Sequence, residues 1–206
     1  MNHKMGQIID RTFLFFALAS KALLSSVLEK IDNLESFTDR IDYAENHLTH
    51  LSSGSSRIVY KTPQNTVIKL AKNKKGLAQN KAESTIETNS KFVNRVFSHS
   101  RKYFWIEAPL VEKITEKEFE EISGINFKDF GEALKSSVNN SSSSDDVKKK
   151  IKSSKIFQDL TKIAKDNKLA AGDLAKISSY GKLDNKILLI DTGLTNKIYE
   201  DFYESS

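Results

Sequence analysis

Gly172-Asp173-Leu174 and, eighteen residues on from Asp173, Ile190-Asp191-Thr192-Gly193 frame the last third of this chain. The residues between them fall into short, distinct pieces. Ser178-Ser179-Tyr180-Gly181 closes a polar loop, and Lys182-Leu183-Asp184-Asn185 carries turn chemistry. Lys186-Ile187-Leu188-Leu189-Ile190 is an apolar strand that ends at Asp191. One aspartate thus sits in a polar loop and the other at the end of an apolar run.

Upstream, residues 52–70 have the period of strands. Ser52-Ser53-Gly54-Ser55-Ser56 is a small-residue loop that leads into Arg57-Ile58-Val59-Tyr60. Such a loop lets backbone N–H groups approach phosphate oxygens closely, because its side chains are short. Ser53, Gly54, Ser55 and Ser56 are therefore candidate nucleotide-binding residues. Thr62-Pro63-Gln64-Asn65 is a turn, and Thr66-Val67-Ile68-Lys69-Leu70 is the second strand of a hairpin. Lys69 lies between Ile68 and Leu70, and a lysine buried in an apolar strand needs an anionic partner. Helical spacing from Lys74 to about residue 97 offers Glu83, fourteen residues after Lys69. Glu87, one turn further along, is the alternative.

The rest of the chain reads mainly as helices. Apolar positions repeat at helical spacing over 6–31 and again over about 34–51. These two segments are either an extension packed on the sheet or a docking element for a protein partner. Tyr103-Phe104-Trp105-Ile106 and Leu110-Val111-Glu112 read as a strand pair or one strand broken near Pro109, with Trp105 in the core. Residues 116–137 form a weak helical pattern interrupted at Gly124, and 136–146 is a Ser/Asn-rich flexible loop. A helix over about 147–167 and a short closing helix over 194–203 complete the chain.

In this order the pieces resemble the protein-kinase-like superfamily, and in size the small, truncated kinase-like proteins met in tailed-phage genomes. The resemblance spans about residues 50–194. Ser52-x-Gly54-x-x-Arg57-x-Val59 is similar to the family's phosphate loop, with only the middle of its three glycines kept. Lys69 matches the lysine of the third strand, and Glu83 the glutamate of the following helix. Gly172-Asp173-Leu174 matches the catalytic-loop aspartate in the form seen in antibiotic kinases, and Asp191-Thr192-Gly193 matches Asp-Phe-Gly. The eighteen-residue spacing equals the family's.

The resemblance implies an α+β, bilobal fold. Residues 1–50 would be an N-terminal helical extension, 51–113 a small antiparallel-sheet lobe, and 114–206 a reduced helical lobe. It also implies ATP and Mg²⁺ as ligands. Asp173 would orient an acceptor hydroxyl, Lys69 held by Glu83 would contact the phosphates, and Asp191 would hold the metal. The crossing near 111–114 would hydrogen-bond the adenine. Two departures stand out. Ser178 occupies the place of the asparagine that binds a second magnesium, a weaker ligand at that position. The fifteen residues after Asp191 carry no Ala-Pro-Glu signature, so a protein-substrate platform is not expected.

Composition bounds the alternatives. The 206 residues include no cysteine, which excludes disulfides and thiolate metal sites. The four histidines show no ligand spacing. A net charge of +5 allows nucleic-acid binding, but the lysines are dispersed and no recognition motif accompanies them, so nucleic acid is disfavoured. The longest apolar run near the N-terminus, Phe13-Leu14-Phe15-Phe16-Ala17-Leu18-Ala19, is far short of a membrane span. Asp10 and Arg11 spoil a signal peptide. The expected compartment is the cytoplasm, that of a host cell if the chain is phage-encoded. The leading expectation is a kinase-like phosphotransferase acting on an unknown protein or small-molecule hydroxyl, with nucleotidyl transfer as a variant. The rivals are a pseudokinase that docks a partner through its N-terminal helices, and a basic structural or nucleic-acid-associated phage protein.

Overall fold

The computed structural model describes residues 2–86, 89–139 and 146–204, with side chains described from residue 18 onward except at 146–148. It is a mixed α+β structure built around two large hydrophobic cores, with a small third cluster of Ala170, Leu194 and Ile198.

The first core lies on a five-stranded antiparallel sheet. Its strands are β1 (Thr49–Ser53), β2 (Arg57–Lys61), β3 (Thr66–Ala71), β4 (Ser98–His99) and β5 (Trp105–Pro109), in the order β1-β2-β3-β5-β4. Register places Val59 opposite Lys69 and Lys69 opposite Ile106, so Lys69 sits mid-sheet. Two helices cover the sheet, α1 (Asn2–Asn33) and α2 (Phe37–His47). Leu24, Val27, Leu28 and Ile31 from α1 and Ala44 from α2 are buried against Ile58, Tyr60, Ile68, Leu70 and Trp105. Polar contacts fix the angle. Arg40 donates from Nε to the Ile31 carbonyl at 3.1 Å and lies 3.5 Å over the Phe104 ring. The Trp105 indole N–H reaches Asp32 at 2.9 Å. From residue 24 onward these helices are therefore packed on the sheet; side chains Phe13, Phe15 and Phe16 lie outside the described residues.

Two expected helices are shorter than their apolar spacing suggests. The expected 34–51 helix stops at His47, and β1 follows. All five β1 residues are exposed, so this edge strand has no inward-outward alternation to reveal it. The expected helix from Lys74 to about 97 is α3 (Lys74–Ser84), capped at its start by Asn73. Beyond it the chain is irregular. The Asn94 N–H donates to the Leu189 carbonyl at 2.9 Å, and the Leu189 N–H to that of Phe92 at 2.7 Å. Ile86, Phe92 and Val93 thus pack on the second core without being helical.

After Pro109 the chain crosses to a three-stranded antiparallel sheet, β6 (Glu112–Lys113), β7 (Tyr180–Leu183) and β8 (Lys186–Leu189). Trp105 is buried; of the two expected strand pieces, the first is β5, which starts at Trp105 and ends at Pro109, while the second, 110–112, is the crossing, and its Glu112 opens β6 in the other sheet. Asp184 and Asn185 have φ of 48° and 58°, as a two-residue hairpin turn of the mirror-image type requires. The crossing segment needs Gly181: a Cβ there would lie 2.6 Å from Val111 Cγ2 and 2.9 Å from the Glu112 carbonyl.

Helices α4 (Glu116–Ser123), α5 (Phe127–Val138), α6 (Asp146–Ser153), α7 (Lys155–Asp166) and α8 (Ala171–Leu174) form the second core with this sheet. Gly124 ends α4 in the left-handed conformation at φ 69°, where a β-carbon would be strained. Phe119, Phe127, Phe130, Phe157 and Tyr180 are fully or nearly buried there, with Phe119 centred 5.0 Å from both Phe127 and Phe130. The expected helix over 147–167 is two helices, because Ser154 caps α7. Of the Ser-rich stretch, 136–138 completes α5 and 140–145 lies outside the described residues. The closing segment is α9 (Asn196–Tyr199) and a π-turn over Glu200–Glu204. Among the described residues no helix is long and apolar enough to cross a membrane.

Candidate functional site

The two cores meet at a cluster of four charges. Lys69 from β3 and Glu83 from α3 are each less than 9% exposed and form an ion pair. Lys69 Nζ also donates to the Ile190 carbonyl at 2.5 Å, across the seam between the cores. Arg57, the first residue of β2, donates from Nη1 to Glu83 Oε2 at 2.6 Å and from Nη2 to Asp191 Oδ1 at 2.8 Å. Two cations and two carboxylates are thus interlocked, so the buried charges are paired as burial demands.

Local packing explains why α3 delivers Glu83 to this point. Gly76 allows the helix to press on the β1–β2 loop: a Cβ there would lie 2.2 Å from the Ser56 carbonyl oxygen. Ser56 Oγ donates to Gln79 Oε1 at 2.5 Å. Asn80, fully buried, donates to the carbonyls of Lys69 at 3.1 Å and Tyr103 at 3.0 Å. On its other side α3 is held by the segment after Asp191. Gly193 lies against Gln79 and Arg57, and Ile198 and Phe202 pack on Ala78 and Ala82.

The electrostatics of Asp191 follow from its neighbours. Burial by itself pushes its carboxyl up, but the charges of Arg57 and Lys69, the Gly193 N–H at 3.3 Å and the Arg57 hydrogen bond outweigh this and hold it below its ordinary 3.8. Burial likewise opposes the Arg57 cation, yet Glu83 and Asp191 raise it above its ordinary value. Asp191 and Arg57 are therefore both held in their charged forms at neutral pH.

Asp173 belongs to a different setting. It lies in α8, and its side chain bonds Lys176 Nζ at 2.5 Å. That hydrogen bond raises the Lys176 ammonium, against partial desolvation, with smaller contributions from the charges of Asp173, Tyr203 and Asp191. Ser179 couples the loop to the Asp191 strand. Its Oγ donates to the Asp173 carbonyl at 2.7 Å, and its own carbonyl accepts from Ile190 N–H at 2.8 Å. Tyr180 OH anchors the same loop on the Leu174 carbonyl at 2.8 Å.

Lys69, Glu83 and Asp191 are therefore brought together, while Asp173 pairs with Lys176, whose ammonium also feels the charge of Asp191. Glu83 partners Lys69; the alternative, Glu87, lies outside the described residues. Ser178 is exposed on a single 3₁₀ turn. Of the expected loop residues, Ser53 ends β1, and Gly54, Ser55 and Ser56 form the β1–β2 connection, tied to the start of α3. Lys72 Nζ reaches the Gly54 carbonyl at 3.1 Å, Lys75 Nζ reaches Ser55 Oγ at 3.2 Å, and the Gly54 N–H donates to the Arg57 carbonyl at 2.9 Å. Lys75 also lies 4.2 Å from the Tyr203 ring, which brings the closing segment to the same loop. A cavity of about 1090 Å³ includes Glu83 and Thr192 and extends along Asn94 to Asp159 and Lys162.

Sequence reasoning missed Arg57 and Lys176 as site residues. Lys176 had a readable signal, an Asp/Lys pair three apart at the start of a loop. Arg57 had a weaker one, a long cation opening a strand that otherwise reads Ile58-Val59-Tyr60.

No protein-family model matches the chain, and no curated protein matches it.

Proposed function

We propose that this chain is a kinase-like protein of two lobes that binds ATP with Mg²⁺ and transfers a phosphoryl group to a hydroxyl acceptor. The observation that carries the reading is the Lys69–Glu83 pair beside Asp191. In protein kinases a lysine on the third strand is held by a helix glutamate and contacts the phosphates, with a metal-binding aspartate beside them. Here Lys69 is on the third strand, Glu83 is on the helix that follows, and Asp191 comes directly after a β-hairpin in the second sheet.

The residues fit a metal that arrives with the nucleotide. Among the described residues no three His, Cys, Asp or Glu side chains converge, so there is no all-protein cage. Mg²⁺ needs none: one or two carboxylates plus phosphates and water suffice. Asp191 supplies a carboxylate whose Oδ1 is taken by Arg57 and Gly193, and its Oδ2 would be the ligand. The metal would neutralise developing phosphate charge.

The chain's own groups divide the remaining work. Lys69 holds the phosphates in place, and Glu83 keeps the ammonium from swinging away. Asp173 orients the acceptor hydroxyl and takes its proton, with the Lys176 cation beside it. The crossing backbone at 111–114 hydrogen-bonds the base. Catalysis of this kind is positioning plus charge stabilisation.

A second reading, a nucleotide-binding module without transfer, is favoured by Lys176 on Asp173 and by the exposed Ser178. Incubation with Mg²⁺ and ATP followed by intact-mass analysis, beside Asp191→Ala, separates the two. A gain of one phosphate in the wild type alone, on itself or on added acceptor, supports transfer. A gain of a nucleotide monophosphate replaces phosphoryl with nucleotidyl transfer. Nucleotide-dependent thermal stabilisation with no product of either kind moves the reading to the binding module. Neither stabilisation nor product overturns both.

A further inference from the structure

Arg57 stands where the phosphate-loop pattern has its third glycine. It is 9% exposed. Nη1 contacts Glu83 Oε2 at 2.6 Å and Asn80 Oδ1 at 3.4 Å, and Nη2 contacts Asp191 Oδ1 at 2.8 Å. These bonds use three of the five N–H donors a guanidinium carries. The Gly193 N–H falls on the same Oδ1 at 3.3 Å. Asp191 is thus engaged on one oxygen by a fixed cation and an N–H, while Oδ2 receives neither. Its side chain is 42% exposed, so a ligand can reach it.

The place of a second metal ligand is depleted. Ser178, at the position where the resemblance implies a ligand for a second metal ion, is exposed. The inward-turned hydroxyl of that loop is Ser179's, and it donates to the Asp173 carbonyl. Among the described residues no further carboxylate group completes a two-metal site.

We propose that the Arg57 guanidinium is a built-in cation of the phosphate site, taking the place of one of two metal ions, so that a nucleoside triphosphate is held with a single divalent cation on Asp191. This rests on the nucleotide-binding reading above. A guanidinium suits this role because it stays charged at any working pH, and its planar fork can bridge a carboxylate and a phosphate oxygen at once. Being fixed by Glu83, it loses no ordering entropy when the ligand arrives.

The test counts metal ions. Wild type, Arg57→Lys and Arg57→Ala are titrated with Mn²⁺ in the presence of a non-hydrolysable ATP analogue, following bound Mn²⁺ by electron paramagnetic resonance and bound nucleotide by calorimetry. The wild type is expected to hold one Mn²⁺ per nucleotide. Arg57→Ala is expected to bind the nucleotide roughly 10- to 100-fold more weakly at low Mn²⁺, with part of the loss recovered as Mn²⁺ rises. Arg57→Lys, which keeps a cation without the fork, should fall between them, and it carries the comparison if the alanine variant does not fold. Two Mn²⁺ per nucleotide in the wild type overturns the role of Arg57 and leaves nucleotide binding standing. So does an affinity and metal dependence that neither substitution changes. No nucleotide bound by the wild type at any Mn²⁺ concentration overturns the parent reading and this one with it.

Discussion

The Lys69–Glu83–Arg57–Asp191 cluster and the Asp173 loop sit on the same seam but are built in opposite ways. The cluster draws on β2, β3, α3 and the end of the second sheet, residues as far as 134 apart in sequence. Its cations and Glu83 are buried, and each charge has an opposite one within bonding distance. The loop is local. Asp173, Lys176, Ser178 and Ser179 lie within seven residues, and their contacts are mostly to one another. The first is therefore part of what holds the two cores together, and the exposed members of the second, such as Ser178, can change without loosening the fold. In the proposed reading, such a site would put its phosphate-facing charges in the scaffold and its acceptor-facing groups in a replaceable loop.

That contrast can be broken first at Glu83. Glu83→Ala leaves Lys69 and Arg57 buried without their shared partner. Removing one member of a buried pair costs about 3–5 kcal/mol, which for a chain of this size lowers Tm by roughly 6–20 °C. Denaturation by heat and by urea measures it. A loss below about 1 kcal/mol would mean the cluster behaves like surface charge.

Gly76→Ala is the next largest. Alanine favours a helix interior by about 1 kcal/mol over glycine. Here, however, the added methyl meets the Ser56 carbonyl at 2.2 Å and is backed by Ala71. Net destabilisation of about 1–3 kcal/mol is expected, with weakened nucleotide binding because Glu83 moves with α3. Stabilisation would show that α3 does not press on the loop.

The acid limb separates Asp191 from the rest. Its folded carboxyl is held below its ordinary 3.8, so its contribution to stability is fully present above that value and is lost as pH falls through the lower, folded one. Asp191→Asn should flatten the wild-type decline in Tm in that window and leave neutral-pH stability less affected than Glu83→Ala does. An unchanged acid limb would contradict the Arg57 bond and the Lys69 charge acting on Asp191.

On the loop side effects should be small. Tyr180→Phe removes one buried hydrogen bond to the Leu174 carbonyl and should cost about 0.5–1.5 kcal/mol. Ser178→Ala, at an exposed position, should stay within about 0.5 kcal/mol. If Ser178→Ala destabilised as much as Tyr180→Phe, the loop would not be the replaceable element described.

The same contrast explains what the sequence discloses. The pairing of Lys69 with Glu83 and the seat of Asp191 at a strand end are legible because these are polar residues at marked places in an apolar or turn pattern. The turn at Asp184-Asn185, the break at Gly124 and the helices over the second core are legible for the same local reason. Arg57's role is not, because it depends on which way a side chain at the start of a strand turns once α3 is docked, and nothing within a few residues encodes that. β1 is hidden because an exposed edge strand of Thr, His, Leu and Ser has no alternation. α3 is overextended in the sequence because Ile86, Phe92 and Val93 keep helical spacing while packing, outside any helix, on the second core.

Binding of ATP by the purified wild type and by Lys69→Ala, titrated calorimetrically with Mg²⁺ present, tests the central claim most directly. The account predicts saturable one-to-one binding in the wild type and a loss of roughly tenfold or more in the variant, as expected for removing a charge-assisted contact, with both proteins folded by circular dichroism. Equal binding by the two, or none by the wild type, would contradict it.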